Sequence, residues 1–278
     1  MVHALRRAAV GWYRNAACVV QMLSLLLCFL LPSAFGAGAE APLRTYPQHR
    51  RQHAAALMRN WIAQGHHYKK NGDIYQFGVF TGRGLREWPI QFAGNLSFRH
   101  QWGFDSFTGM PVLSEAQLDA EGESIAQFAR LDTGPGGLRA GELDTRESFR
   151  SKRWEDIEAS ILAYVKHNAT TLIRGYFNES LPALHQSTLQ QMRPATLLDF
   201  DGDLYVSTRE PYDWLFRNKL VAAGTFVFYD DLQKCKIPHA RFGGNICGEA
   251  KAHQEITALY GVRWHRLEYN LYQVKSIG

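Results

Sequence analysis

Short apolar runs and longer amphipathic stretches take turns along most of this chain, and nearly every apolar run closes on glycine or acidic residues. The first amphipathic stretch, RQHAAALMRNWIAQG from Arg51 to Gly65, predicts a helix stopped by its final glycine. DIYQFGVF, Asp73 to Phe80, reads as a buried-type strand. The glycine turn TGRG follows, and GLREWPIQFAG begins a helix that Pro89 bends or shortens. HQWGFDSF (100–107) predicts a second strand, TTLIRGYF (170–177) a third, ATLLDF (195–200) a fourth and TFVFYDD (225–231) a fifth. Between the second and third, WEDIEASILAYVKHN places Ile157, Ile161, Leu162 and Val165 at helical spacing. STREPYDWLFRNKLVAAG predicts a helix with Ser207 or Thr208 near its N-cap, proline in its first turn and Gly224 beyond its end. VRWHRLEYNLYQVKS closes the chain as two short strands about a turn.

Strands alternating with helices predict an α/β fold: a mostly parallel sheet with helices on both faces and an antiparallel strand at the C-terminus. In such sheets ligands bind outside the carboxyl ends of the strands. The ends here, GVFTGRG, GFDSF, RGYFNES, DFDGDLY and FYDDL, should converge on one edge and form one site. The stretch 109–150 fits no element. It is long, polar and glycine-rich, and a segment of that kind is usually functional or mobile; here it is expected to close over the site or shape an acceptor pocket.

Composition adds a boundary. Among 278 residues, 46% are hydrophobic, enough for one globular domain with a sizeable core. Three of the 31 basic residues, Arg6, Arg7 and Arg14, precede the first acidic residue. The rest of the chain carries 28 basic against 26 acidic side chains, is nearly neutral, and shows no basic stripe that would bind nucleic acid. Residues 1–39 read as a signal peptide or signal anchor: a basic start, an apolar stretch from Ala16 to Leu31, and an A-x-A-like site at Ala37 and Ala39. That reading places the protein in a secretory pathway or outside the cell, with membrane contact only through this segment. A start at Met22 or Met58 would make it cytoplasmic. Residues 40–64 are then a linker and N-terminal helix, and 65–278 the main domain. Cys235 and Cys247 could pair in an oxidising compartment.

The strand ends carry the chemistry. Gly78, Gly82 and Gly84 lie between a strand and a helix, where glycines permit a tight turn and close approach of a ligand to the backbone. The helix N-terminus beyond them offers free N–H groups, so a nucleotide or a nucleoside carboxylate would fit; a plain βα turn is the alternative. Asp105 stands one βα unit later, where a ribose hydroxyl pair would be held, or where an aspartate caps a turn. In LLDFDGDLYVST, Asp199, Asp201 and Asp203 alternate and would share one face of an extended chain. Should the fourth and fifth strands be neighbours, about 4.8 Å apart, Asp201, Asp230 and Asp231 could share a cation; all-oxygen donors favour Mg²⁺, Ca²⁺ or Mn²⁺. Helix caps and turn carboxylates are the alternative.

Taken in order, YQFGVFTGRGLR, GFDSFTGMP, RGYFNESLP, LLDFDGDLYVST and FVFYDDL resemble the macrocin O-methyltransferase family over residues 65 to the C-terminus. The resemblance implies a Rossmann-like class I methyltransferase sheet that binds S-adenosyl-L-methionine, uses Mg²⁺ or another divalent cation, and methylates a free hydroxyl of a sugar-like or other small molecule. A homodimer is compatible with it. Carried onto this chain, Gln76, Gly78, Gly82, Gly84, Asp105 and Ser106 would hold the cofactor. Asp201, Asp230 and Asp231 match the metal ligands, and Asp203, beside Asp201, matches a carboxylate that takes the acceptor's proton. Two departures stand out: Gln76 replaces the family's usual acidic residue, and Leu232 replaces an aromatic. A metal-dependent glycosyltransferase using Asp201-Gly202-Asp203, and a non-catalytic cofactor-binding module, are the competing readings.

Overall fold

The computed structural model describes residues 50–94, 96–114, 116–117, 140–141, 143–232 and 248–278. The candidate signal segment, most of the 109–150 stretch and both Cys235 and Cys247 lie outside them. All described residues belong to one compact unit beginning at Pro47. No described helix is long and apolar enough to cross a membrane.

The elements run α1 (Arg50–Ala63), β1 (Gly72–Phe77), α2 (Arg83–Phe92), β2 (Phe98–Asp105), α3 (Thr145–Phe149), α4 (Trp154–Val165), β3 (Thr170–Arg174), α5 (Phe177–Ser180), α6 (Gln186–Leu189), β4 (Ala195–Phe200), α7 (Tyr205–Arg217), β5 (Phe226–Tyr229), α8 (Gly248–Leu259), β6 (Arg263–Glu268) and β7 (Leu271–Ser276). They build one seven-stranded sheet in the order β3-β2-β1-β4-β5-β7-β6. β1 to β5 are mutually parallel, and β7 runs antiparallel between β5 and β6. The expected α/β sheet, mostly parallel with an antiparallel C-terminal strand, is therefore present. After β3 the chain crosses to the other side of β1, so β1 and β4 flank the topological switch point, where such folds open a crevice for ligands.

Side-chain alternation explains why both faces are covered. Tyr75, Phe77, Leu198, Phe200, Val227 and Tyr229 point to one face, under Tyr212, Leu215 and Phe216 of α7 and Ile256 of α8. Ile74, Leu197, Phe226 and Phe228 point to the other, under Ala54, Ala55 and Met58 of α1 and Trp88 and Phe92 of α2. α4 adds Ile157, Ile161 and Val165 over Leu85 and Leu172. α1 thus contributes Ala54, Ala55 and Met58 to this core, and Met58 is wholly buried within it.

Local departures have physical reasons. β1 stops at Phe77, short of the predicted Phe80, because Gly78 turns the chain at φ +92°. α7 begins at Tyr205, so Ser207 and Thr208 lie inside its first turn rather than capping it, and Pro211 falls in the second turn. The chain has already turned at the Leu204 N–H to Gly202 carbonyl hydrogen bond, 2.6 Å. Four helices, α3, α5, α6 and α8, were not foreseen; three are a single turn or little more. α8 buries only Gly248, Glu249, Ala252 and Ile256, a face too small and polar to register as an apolar stripe.

Candidate active site

Hydrogen bonds beyond the regular strands align three carboxyl ends. Asp201 N–H donates to the Phe77 carbonyl at 2.8 Å, and Asp230 N–H donates to the Phe200 carbonyl at 2.9 Å. The ends of β1, β4 and β5 are therefore held in register, and the residues immediately beyond them must meet. They do: ligand oxygens of Asp201, Asp230 and Asp231 lie within 4.8 Å of one another.

The glycine turn packs against the same edge. A Cβ on Gly78 would stand 2.0 Å from the Asp201 carbonyl oxygen, closer than any side chain is tolerated, and its φ of +92° also favours glycine. Gly82 ends the turn at φ +87° and precedes α2 without a side-chain cap, leaving the helix N-terminus open. Gly84 lies against Gln76, whose Nε2 a Cβ there would approach to 2.5 Å. Gln76 is buried at the end of β1. Its Nε2 donates to the Gly78 carbonyl at 2.8 Å, and its Oε1 has no hydrogen-bond partner among the described residues. Asp105 closes the turn from β2: Oδ2 accepts from the N–H groups of Val79 (2.7 Å) and Phe80 (2.9 Å), and Oδ1 from Phe107 (2.7 Å). The Ser106 hydroxyl is engaged in its own turn, donating to the Gly109 carbonyl and accepting from Thr108 N–H. Gln76, Gly78, Gly84 and Asp105 are thus joined around one glycine turn, Asp105 organises its backbone as the turn-capping alternative expected, and Ser106 organises the adjacent 106–109 turn.

Asp199, Asp201 and Asp203 do not share a face of an extended chain. Asp199 lies inside β4, fully buried; Asp201 is just past the strand end; Asp203 has left extended geometry at φ +61°, at the centre of the Gly202–Leu204 turn. A non-glycine residue at positive φ is uncommon, and such strain collects at functional sites.

Two arginines that sequence reasoning missed reach this edge from α1. Arg51, itself buried, grips Asp199 with Nε (3.0 Å) and Nη2 (3.3 Å), and the same Nη2 donates to Asp201 at 2.8 Å. Trp88 Nε1 completes the Asp199 contacts at 2.7 Å. Arg50 donates to the Asp230 carbonyl at 2.5 Å and stands 3.3 Å from its carboxylate and 3.9 Å from that of Asp231. Glu249, from α8, accepts the Asp231 N–H at 2.9 Å.

The charges are crowded accordingly. Burial pushes Asp199 above the ordinary carboxylate range, opposed by Arg51 and the Trp88 hydrogen bond. Desolvation in the cleft and then the charge of Asp230 push Asp201 well up. Burial, then Asp231 and Asp201, raise Glu249 well above the usual glutamate. Burial works to discharge Arg51, but Asp199, Asp201 and Asp230 outweigh it and hold the guanidinium firmly charged. Arg50 and Arg51 bring two positive charges against the carboxylates of Asp199, Asp201, Asp203, Asp230, Asp231 and Glu249. Among the described residues the edge is rich in hard oxygen donors, and it fits a divalent cation.

Comparison with known proteins bears on the family and the fold. The family model described as Macrocin-O-methyltransferase (TylF) matches residues 49–247. No curated protein matches at a significant level. Among solved structures, the O-methyltransferase NovP is similar with a TM-score of 0.50 and 20% identity, covering 82% of this chain and 79% of that one. CalS11, a calicheamicin methyltransferase, is similar with a TM-score of 0.50 and 19% identity, covering 84% and 80%. At these identities the likeness concerns the fold.

Proposed function

This chain belongs to the macrocin O-methyltransferase family, whose members transfer a methyl group from S-adenosylmethionine to an oxygen, and from that premise we propose that it methylates a free hydroxyl of a sugar-like small molecule, with a divalent cation held by Asp201, Asp230 and Asp231. The observation that carries the reading is the meeting of those three carboxylates, within 4.8 Å of one another, at the edge where the Gly78 turn packs against Asp201. A cofactor cradle and a cation site that share a backbone contact can bring donor and acceptor together.

S-adenosylmethionine, when bound, supplies a methyl group already activated on a sulfonium. What the chain must do is align the two partners and remove a proton. Gly78 and Gly82 shape the tight turn by packing against Asp201 and Ile161, and the N-terminus of α2, which has no side-chain cap, suits the cofactor's carboxylate. The unpartnered Gln76 Oε1 can accept from its ammonium, replacing the family's acidic residue with a neutral acceptor. Asp105 keeps lone-pair capacity on Oδ1 for a ribose hydroxyl while holding the turn closed. A divalent cation, when bound, lowers the pKa of a hydroxyl it contacts. Asp203, presented on its strained turn beside Asp201, takes the acceptor's proton as general base.

The domain on this reading starts near residue 47, and residues 1–39 retain the character of an export signal, which mass measurement of the native N-terminus tests. The function is tested by incubating the full chain with methyl-labelled S-adenosylmethionine and hydroxylated acceptors, sugars first, with Mg²⁺ or with chelator. Label should move to an acceptor oxygen, and chelator or Asp231→Ala should abolish the transfer. Cofactor binding without transfer to any hydroxyl, or transfer indifferent to both treatments, overturns the acceptor or the cation part respectively.

A further inference from the structure

Glu249 carries an anomaly that the reading above does not use. It lies in the first turn of α8 with only 2% of its surface exposed. Oε2 accepts the Asp231 N–H, but Oε1 is buried with no hydrogen-bond partner among the described residues. Leaving a buried polar atom unsatisfied costs stability, and more when the group is charged. Folded proteins rarely keep such an atom without a reason such as a water or an ion.

Its surroundings compound the cost. The carboxylates acting on it are Asp231 first, then Asp201, with Asp203 further down. A fourth carboxylate has been placed behind three that already repel one another. A first-turn carboxylate suits the helix dipole, and glutamine would accept the same N–H, but neither accounts for an unpartnered Oε1. Direct ligation is not what the geometry favours either, because the close oxygen cluster comprises the three aspartates without Glu249. Three protein carboxylates, however, leave a six-coordinate Mg²⁺ short of ligands, and Mg²⁺ usually keeps several waters. Each such water carries two O–H donors that need acceptors.

We propose that Glu249 is a positioning residue of the cation site: Oε2 fixes the main chain of Asp231, and Oε1 accepts a hydrogen bond from a water in the cation's hydration shell. The inference rests on reading Asp201, Asp230 and Asp231 as cation ligands. It accounts for both anomalies at once, because the water satisfies Oε1 and the cation relieves the repulsion. Groups in this outer position typically change metal affinity by about 10–100-fold when removed.

The test is calorimetric titration of Mg²⁺, then Mn²⁺, into the full chain, comparing wild type with Glu249→Gln, and titration of S-adenosylmethionine into both. Glutamine keeps an acceptor for Asp231 N–H and puts a donor where the acceptor was. Cation affinity should fall about 10–100-fold while cofactor affinity holds. Unchanged cation affinity in Glu249→Gln overturns the inference and leaves the aspartate site standing. A loss of cation and cofactor affinity together marks a general structural role and also overturns it. Glu249→Ala, which removes both oxygens, should weaken cation binding as well; wild-type affinity there refutes the proposal should the glutamine variant fail to fold. Wild type that takes up no Mg²⁺ at millimolar concentration removes the cation reading itself.

Discussion

Arg51→Ala tests whether α1 and the site form one unit. Asp199 has no exposed surface and receives three N–H contacts, two from Arg51 at 3.0 and 3.3 Å and one from Trp88 at 2.7 Å. Deleting the guanidinium leaves a buried carboxylate with one donor and also frees Asp201. Breaking a buried ion pair from one side costs about 3–5 kcal/mol. In a domain of this size each kcal/mol moves Tm by about 2–4 °C, so the variant should melt roughly 6–20 °C below wild type. The lower end applies where Asp199 escapes by taking up a proton, for which burial already prepares it. Pairing Arg51→Met with Asp199→Asn removes both charges and keeps an acceptor for Trp88, so the double variant should recover part of the loss, with a coupling of about 1–3 kcal/mol in the cycle. Its Mg²⁺ affinity should stay below wild type, because Asp201 has still lost its partner. Thermal and urea melts at neutral pH, with calorimetry for Mg²⁺, supply the numbers. An alanine variant that melts within about 2 °C of wild type, or strictly additive losses, would refute the buried-pair argument.

Asp203→Asn should lower kcat about 10²–10⁴-fold, as expected for removal of a general base, with KM little changed and the acidic limb of the pH profile lost; initial rates across pH check it, and a wild-type kcat removes the residue from the proton's path. Gly78→Ala should lose cofactor binding by calorimetry and melt lower, because its Cβ would meet the Asp201 carbonyl at 2.0 Å on a backbone at φ +92°; an alanine variant that binds normally would mean the turn can relax. Asp201 and Glu249 titrate above their unfolded values, so between about pH 4 and their raised pKa values the folded state binds more protons than the unfolded one. Stability without a cation therefore falls as pH rises through that window, and the gain from Mg²⁺ should grow with pH as the ligands deprotonate. Urea midpoints with chelator and with Mg²⁺ measure both slopes, and an Mg²⁺ gain that shrinks on raising the pH contradicts the cluster.

What could be read from the chain was what local pattern encodes. ATLLDF is β4 to the residue, since a buried strand ahead of a polar break has few other readings. The glycine turn and the two acidic strand ends followed from the rule that parallel sheets present their sites at the carboxyl edge. Arg51 could not be read. It is 148 residues from Asp199 in sequence, and a helical arginine carries no local sign of the carboxylate it will meet. Glu249 escaped for the same reason, compounded by an α8 face too small and polar to predict. Ser207 and Thr208 looked like caps by residue type, but the Gly202–Leu204 turn had already redirected the chain, so tertiary context overrode the preference.

The alternating aspartates show how such a site gains rigidity. Alternation promised three equivalent carboxylates on one face, and the backbone separates them by depth instead. Asp199 sits in the core, where a carboxylate is tolerable only because Arg51 and Trp88 meet it. The same Arg51 Nη2 that bonds Asp199 also donates to Asp201 at the strand end, leaving the other Asp201 oxygen free of that contact. Asp203 stands past the strand on a strained turn. A ligand carboxylate tied through one guanidinium to a buried strand residue has little freedom to swing, and a metal site needs ligands held by their own supporting contacts. The deepest aspartate, although no member of the proposed cation site, is the one that sets how well the middle aspartate would hold the proposed cation.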